Sequence, residues 1–191
     1  MSNAVQRLHT ITIKDASLPP SADEFHEEFV GFPLLLLLDL FSRYHQCELD
    51  PSHQDMTAFQ MPLGLLRITA LPQGYMNSVQ VFDQVMKKIL KDQIAAGIGK
   101  PFIDDVAVKS ASRSMFLDEN GVPEEIAPRI RKFVLEAIIS VDRVLADIER
   151  AGGMILGANS EFLMEKLKVV AYICRSNGRT PEGTKVQRIM N

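Results

Sequence analysis

The sequence predicts an α+β fold, in which an antiparallel sheet is backed by helices, and three of its features indicate this. Residues 100–109 place two short apolar runs on either side of a polar break, which is typical of a β-hairpin. Residues 34–38 form a continuous apolar run that leads to Asp39, and its brevity favours a strand buried on both faces. Across residues 128–152, apolar side chains recur at steps of three and four, as in an amphipathic helix.

The remaining elements follow from local patterns. Residues 11–13 alternate as in a short strand, and a Ser-x-x-Glu capping box at residues 21–24 predicts a short helix with Phe25 and Phe29 on its buried side. The other predicted elements are a hairpin of residues 57–60 and 65–68, a turn at residues 71–74, a helix from Asn77 or Ser78 to about Ala95, a polar surface loop at residues 110–128, and strands within residues 154–156, 162–164 and 169–173.

Composition limits the classes of protein that fit. The 191 residues, 46% of them hydrophobic and 24% charged, suffice for one domain with a core. No apolar run approaches the roughly 20 residues of a membrane span, and no secretory signal is visible at the N-terminus. We therefore expect no membrane partner and an intracellular location, cytoplasmic or nuclear. Cys47 and Cys174 are too few for a disulfide framework or a zinc site, and are expected to be buried thiols.

Charge is distributed unevenly along the chain. The net charge of -3 argues mildly against a nucleic-acid binder, because such proteins usually neutralise phosphates with Lys and Arg. Acidic residues dominate between residues 15 and 55, whereas basic residues dominate from residue 165 onward. This asymmetry suits a metal-binding body with a flank that faces nucleic acid, but charge runs are more often ordinary solvated faces.

Asp104 and Asp105 stand where the central hairpin is expected to turn, although adjacent like charges repel. Such a pair alone is also typical of a simply solvated turn. Asp39 ends a buried strand, and a carboxylate in that position needs water, a counter-charge or a metal. If strand and hairpin are neighbours in one sheet, the three carboxylates converge and suit two Mg²⁺ ions. Adjacent strand residues point to opposite faces, so only one of Asp104 and Asp105 can share a face with Asp39 without distortion. We predict that Asp104 is this direct ligand.

Four motifs occur in a fixed order along nearly the whole chain. They are Leu-Asp-Leu-Phe-Ser-Arg-Tyr-His-Gln at residues 38–46, Thr-Ala-Phe and Pro-Leu-Gly within residues 57–64, Leu-Pro-Gln-Gly at residues 71–74, and Phe-Ile-Asp-Asp at residues 102–105. Their order and spacing closely resemble the reverse transcriptase of gypsy-type long-terminal-repeat retrotransposons, in the form that fungal elements show. The resemblance implies one RNA-directed DNA polymerase core over residues 1–191. Partial fingers are expected over about residues 1–30 and 45–75, and a polymerase palm over about residues 31–44 and 76–175.

The same resemblance implies roles for individual residues. Asp39, Asp104 and Asp105 correspond to a catalytic triad that binds Mg²⁺ or Mn²⁺. Tyr44 corresponds to the aromatic residue that stacks under the nucleotide sugar and excludes a 2′-hydroxyl. The remaining implied contacts are those of Gln73, Gly74 and Phe102 with the incoming nucleotide and template, and, in a looser match, of Val170, Ala171 and Tyr172 with the primer end. The implied partners are a primed RNA or DNA template, deoxynucleoside triphosphates and the rest of a retroelement polyprotein.

Several features depart from the family pattern. Arg43 stands where the family usually has Gly, and Met56 where many members have Lys, and both are departures that can impair function. Phe102 replaces the usual Tyr, a change frequent in the fungal branch. A basic fingers hairpin is expected before residue 1, and thumb and RNase H regions after residue 191, which would make the chain an excised core. The alternative is a catalytically silent, retroelement-derived remnant that acts as a binding or assembly module.

Overall fold

The computed structural model describes residues 8–17, 21–169 and 172–181. Residues 8–11 are helical, and the helices that follow are α1 (Ala22–Phe29), α2 (Pro51–Gln54), α3 (Ser78–Ile89), α4 (Lys91–Ala95) and α5 (Lys132–Arg150). The strands are β1 (Leu35–Asp39), β2 (Phe59–Met61), β3 (Gly64–Leu66), β4 (Gly99–Phe102), β5 (Asp105–Lys109), β6 (Glu125–Ala127), β7 (Ile130–Arg131), β8 (Glu161–Met164), β9 (Lys166–Val169), β10 (Tyr172–Arg175) and β11 (Gly178–Pro181). Among these described helices, none has both the length and the apolar character that crossing a membrane requires.

A four-stranded antiparallel sheet in the order β4-β5-β1-β8 forms the centre of the fold. Strand β1 lies inside this sheet, and helices cover both of its faces. Leu36 and Leu38 pack in a cluster with residues of α3 and α5, whereas Leu35 packs with Phe25 and Phe29 of α1. Each buried leucine stabilises the fold by about 2 kcal/mol, so the apolar run fixes the position of β1 and of the carboxylate that ends it. The predicted α+β class and the doubly buried strand are confirmed.

Both long helices differ from the prediction. Helix α5 begins later than predicted, and the other predicted helix is divided into two. Helix α5 begins at Lys132, not Pro128, because Ile130 and Arg131 pair with β6 in a small hairpin. The side that the helix buries, around Ala137 and Val144, lies one position away from the predicted apolar side, on which Ile148 is buried but Ile138 is 44% exposed. The helix predicted to run to about Ala95 is divided at Leu90, whose ψ of 15° interrupts it between α3 and α4.

The smaller elements are confirmed in part. The second hairpin forms as β2 and β3. Residues 11–13 are not a strand, since residues 8–11 are helical and residues 13–17 have no regular structure. Residues 154–156 contribute only one bridge, between Ile155 and Leu40. Of the residues predicted to form a strand over 169–173, residue 169 ends β9 and residues 172–173 begin β10, both in a separate three-stranded sheet with β11, while residues 170–171 lie outside the described residues. The polar loop is not wholly irregular, because it contains β6.

Two local details of the N-terminal half also differ from the sequence-based expectation. Ser21 occupies the N-cap position of α1 but makes no side-chain capping hydrogen bond. Phe25 and Phe29 are nevertheless almost completely buried, so tertiary packing stabilises this helix without the cap. Cys174 is buried as expected, whereas Cys47 is only half-buried, and both are free thiols.

Candidate functional site

Asp39 and Asp105 lie directly opposite each other at the end of the central sheet. They are register partners in the antiparallel pair of β1 and β5, so their side chains share one face of the sheet. The hairpin of β4 and β5 turns through Ile103 and Asp104, because Phe102 pairs with Asp105. The N–H of Leu40 donates to the carbonyl oxygen of Asp104 at 3.2 Å, which holds the turn against the end of β1.

This register corrects the sequence-based placement of the hairpin turn. The turn lies one residue earlier than predicted, and Asp105, rather than Asp104, is the strand residue that faces Asp39. Asp104 belongs to the turn, where the alternation of strand side chains does not apply. Ile103 adopts a φ of 58°, which is unusual for a β-branched residue and is often found at functional sites.

The three carboxylates influence one another electrostatically. Burial, followed by the neighbouring charges of Asp104 and Asp39, raises the pKa of Asp105 to about 6, although Arg43 acts in the opposite direction. Asp39 accepts a hydrogen bond from Nδ2 of Asn159 at 2.8 Å, and its backbone N–H donates to Oγ of Ser160 at 3.1 Å. The site therefore combines mutual repulsion with fixed positioning of one carboxylate.

Arg43 provides a positive charge at this site. Its guanidinium forms an ion pair with Oδ2 of Asp104 and lies over the ring of Tyr44, 4.5 Å from the ring centroid. Ser42 immediately before it has a left-handed backbone conformation with a φ of 46°. The sequence marked Arg43 as a departure from the family pattern but gave no indication of this partner.

The donor chemistry fits a hard divalent cation, because Asp104 and Asp39 lie close enough to Asp105 to raise its pKa. Their arrangement is not a ready coordination sphere. Within the described ranges, no group of three or more His, Cys, Asp or Glu residues has a metal-binding arrangement. Asp104 is instead engaged by Arg43. The assignment of Asp39, Asp104 and Asp105 as metal ligands stays a prediction.

The two aromatic residues assigned to the nucleotide are packed inside the protein in this conformation. Tyr44 is 6% exposed and meets Phe82 edge to face, with 5.8 Å between the ring centroids. Phe102 is half-buried and lies 4.9 Å from Phe25 by the same measure. The roles of Tyr44 and Phe102 in nucleotide binding stay predictions.

Gln73 and Gly74 lie in an exposed turn. Gly74 has a φ of 85°, which favours glycine, and a Cβ at this position would meet no atom within 4 Å. The space above this turn is therefore open to a ligand, although its contacts with nucleotide and template are untested.

Tyr172, in the region assigned to the primer end, is half-buried and lies 4.6 Å from the ring of His26. Val170 and Ala171, assigned to the same region, lie outside the described residues. Met56, the second departure from the family pattern, is 58% exposed and lines a cavity of about 460 Å³ with residues that include Leu8 and Tyr75.

Sequence reasoning missed the residues that support Asp39. Asn159 and Ser160 belong to the connection between α5 and β8, which also bonds to the main chain around the site. Leu156 donates its N–H to the carbonyl oxygen of Asp39 at 2.8 Å, and Phe41 donates to that of Met154 at 3.0 Å. The only sequence signal is an Asn-Ser pair in a turn, which many solvated loops share.

Comparison with known proteins gives weak sequence similarity and a clear structural match. No protein-family model matches the chain. The chain is 25% identical over 184 residues to the retrovirus-related Pol polyprotein from transposon opus of Drosophila melanogaster, and 23% identical over 184 residues to that from transposon gypsy of the same organism. Each match covers 96% of this chain, which spans only 16% of the length of either polyprotein.

The structural matches extend over almost the whole chain. A foamy viral protease-reverse transcriptase in complex with double-stranded DNA matches with a TM-score of 0.77 and 16% identity, over 98% of this chain and 29% of that protein. A foamy viral protease-reverse transcriptase in complex with an RNA/DNA hybrid matches with a TM-score of 0.71 and 17% identity, over 94% of this chain and 21% of that protein. The chain therefore has a reverse-transcriptase-like fold and is similar in sequence to retroelement Pol polyproteins.

Proposed function

We propose that this chain is a reverse-transcriptase domain of a retroelement polyprotein, which extends a primer with deoxynucleoside triphosphates on an RNA or DNA template. The observation that carries the proposal is the pairing of Asp39 with Asp105, with Asp104 in the adjoining turn, at one end of a sheet in a reverse-transcriptase-like fold. The similarity to the Pol polyproteins of transposons opus and gypsy supports the same assignment.

In this proposal, Asp39, Asp104 and Asp105 hold Mg²⁺ or Mn²⁺. When bound, such ions activate the primer 3′-hydroxyl and neutralise charge on the leaving pyrophosphate. Asn159 holds the carboxylate of Asp39 in place through its amide hydrogen bond. Repulsion among the three carboxylates favours binding of a cation over the empty state.

The chain's other residues would orient the substrates. The exposed turn of Gln73 and Gly74 contacts the incoming nucleotide and template. Tyr44 excludes a 2′-hydroxyl when the sugar of the nucleotide contacts its ring. Phe102 and residues 170–172 contact the nucleotide and the primer end. Phe102 in the place of Tyr also suggests the fungal form of these elements, although the relatives named above are from Drosophila.

A catalytically silent remnant is the second candidate function, and Arg43 is the observation that favours it. An arginine paired with Asp104 supplies the counter-charge that a metal would otherwise provide. In that case the chain would persist as a binding or assembly module.

Thermal unfolding with Mn²⁺ separates the two candidates. A ligand that binds only the folded state raises the unfolding midpoint, by several degrees for a gain of about 2–3 kcal/mol in a domain of this size. We expect millimolar Mn²⁺ to raise the midpoint of the native chain and to have little effect on Asp104→Asn. The matched control is Asp55→Asn, which removes a carboxylate from an exposed ion pair with Arg67. An equal shift in all three proteins, or none in the native chain, would contradict the proposed metal site.

A further inference from the structure

Arg43 joins two parts of the candidate site. Its side chain is 25% exposed and forms an ion pair with Oδ2 of Asp104, whose own side chain is 49% exposed. The same guanidinium covers one face of the ring of Tyr44, which otherwise packs on Phe82. The side chain of Arg43 thus contacts both a carboxylate that is proposed to bind metal and an aromatic ring that is proposed to contact the nucleotide.

Arg43 and a metal ion at Oδ2 of Asp104 would compete for the same oxygen. A divalent cation needs the carboxylate oxygens as direct ligands, and Arg43 already occupies Oδ2 of Asp104. The oxygen Oδ2 of Asp39 is engaged differently, since it accepts from the neutral amide of Asn159, which supplies no counter-charge. Asp104 is therefore the member of the triad that forms an ion pair with Arg43.

We propose that Arg43 is a built-in competitor of the divalent cation. It neutralises Asp104 in the metal-free chain and must leave Oδ2 before a metal ion binds there. Its departure also uncovers the face of the Tyr44 ring that it shields, so metal binding and access to this ring are coupled. The inference rests on the proposed function, because it requires the carboxylates to bind a divalent cation.

The competition predicts opposite effects of removing Arg43 with and without metal. Arg43→Ala leaves the carboxylates without their counter-charge, so the metal-free protein unfolds at a lower temperature. The same change frees Asp104 and tightens Mn²⁺ binding. Because a half-exposed ion pair is weak, the expected gain in Mn²⁺ affinity is about two- to fivefold. A purely structural role would lower stability without tightening metal binding.

Titration of Mn²⁺, followed by the electron paramagnetic resonance signal of the free ion, tests the proposal on four proteins. They are the native chain, Arg43→Ala, Arg43→Gln, which keeps a side chain over Tyr44 without the charge, and Arg67→Ala. Arg67 belongs to an exposed ion pair with Asp55, so its removal changes the net charge from -3 to -4 as removal of Arg43 does, but away from the carboxylates. Tighter binding by both Arg43 variants and unchanged binding by Arg67→Ala is the expected result.

The outcomes separate failure of the inference from failure of the proposed function. If the native chain binds Mn²⁺ and neither Arg43 variant binds it more tightly than Arg67→Ala does, Arg43 is no competitor and the metal site stands. If neither the native chain nor any variant binds Mn²⁺ at millimolar concentration, the metal site is wrong and the inference is overturned with it. Should Arg43→Ala fail to fold, Arg43→Gln alone decides between these results.

Discussion

Asp105 is held half-buried opposite Asp39 and beside Asp104, and this position has a consequence for stability. Its pKa of about 6 exceeds its ordinary value of 3.8, so the folded state binds the proton more tightly than the unfolded state does. The carboxyl group of Asp105 therefore contributes more to the stability of the fold at low pH than at high pH. Its contribution falls as the pH rises from about 4 to about 6 and stays constant above about pH 6. The shift corresponds to at most about 3 kcal/mol, and solvent screening of a half-exposed carboxylate reduces it to about 1 kcal/mol.

We expect Asp105→Asn to raise the free energy of unfolding by about 1 kcal/mol at pH 7 in metal-free buffer. The gain should disappear near pH 4, where the native carboxyl is protonated as well. Urea denaturation at several pH values measures this dependence, and Asp55→Asn serves as the control because Asp55 lies in an exposed surface pair. A constant gain across the pH range, or a loss of stability at pH 7, would mean that burial and repulsion do not raise the pKa of this carboxyl.

The residues of the candidate site were predictable to different degrees. Asp39 was placed correctly because a Leu-rich run can only be buried, and burial determines where the strand ends. The turn of the hairpin was misplaced because Asp104 and Asp105 are better turn residues than Ile103, whereas the structure accepts a positive φ at Ile103. Pairing with β1 decided the register, and no local pattern contains that information.

At the scale of elements, the connection from α5 to β8 explains how a long helix far along the chain supports Asp39. Gly153 closes the end of α5, where its N–H donates to the carbonyl oxygen of Ile148 at 2.9 Å. The following residues then bond to the main chain of Asp39 and Phe41. Sequence reasoning identified the end of the helix but treated the residues after it as an independent strand, because their partners are distant in sequence.

The close packing at Gly153 leads to a prediction. A Cβ there would lie 2.7 Å from Cγ2 of Ile148 and 3.2 Å from its carbonyl oxygen, so the end of the helix must shift. We expect Gly153→Ala to lower the free energy of unfolding by about 1–3 kcal/mol, as overpacking does. Gly157 lies in the same connection and has no atom within 4 Å of such a Cβ, so Gly157→Ala should be neutral or slightly stabilising. Equal urea midpoints for the two variants would contradict this packing argument.

At the scale of the whole molecule, the arrangement of layers was predictable and the division into smaller sheets was not. Strong hydrophobic periodicity marked α5, and two-sided burial marked β1, so the central sheet with helices followed from the sequence. The break of the helix at Leu90 lies within the core, and the separate sheet of β9, β10 and β11 was not marked by a local pattern. Leu90 is fully buried although it interrupts a helix, which shows that the core outweighs local helix preference there.

The balance of charge over the whole molecule predicts weak activity of these 191 residues by themselves. Affinity for a primed template comes mainly from Lys and Arg that neutralise phosphates, whereas the net charge here is -3. Two of the arginines are also engaged within the protein, since Arg43 pairs with Asp104 and Arg179 with Asp23 at 3.2 Å. Phosphoryl transfer depends on exact positioning of the substrates. Weak binding of the primed template therefore lowers the rate even where the carboxylates are in place.

Primer extension on an RNA template, at two salt concentrations, tests this expectation. We expect the 191-residue chain to extend the primer only weakly, and less at the higher salt concentration, because binding to phosphates is screened. A longer chain that includes flanking coding sequence should extend it faster, since the relatives that this chain matches are about six times as long. Asp104→Asn combined with Asp105→Asn in the longer chain should abolish synthesis.

Robust DNA synthesis by the 191-residue chain that depends on both carboxylates would contradict the expected weak binding of the primed template. A longer chain without activity would favour the silent remnant, and reverting Arg43 to Gly and Met56 to Lys would then be the first attempt to restore synthesis.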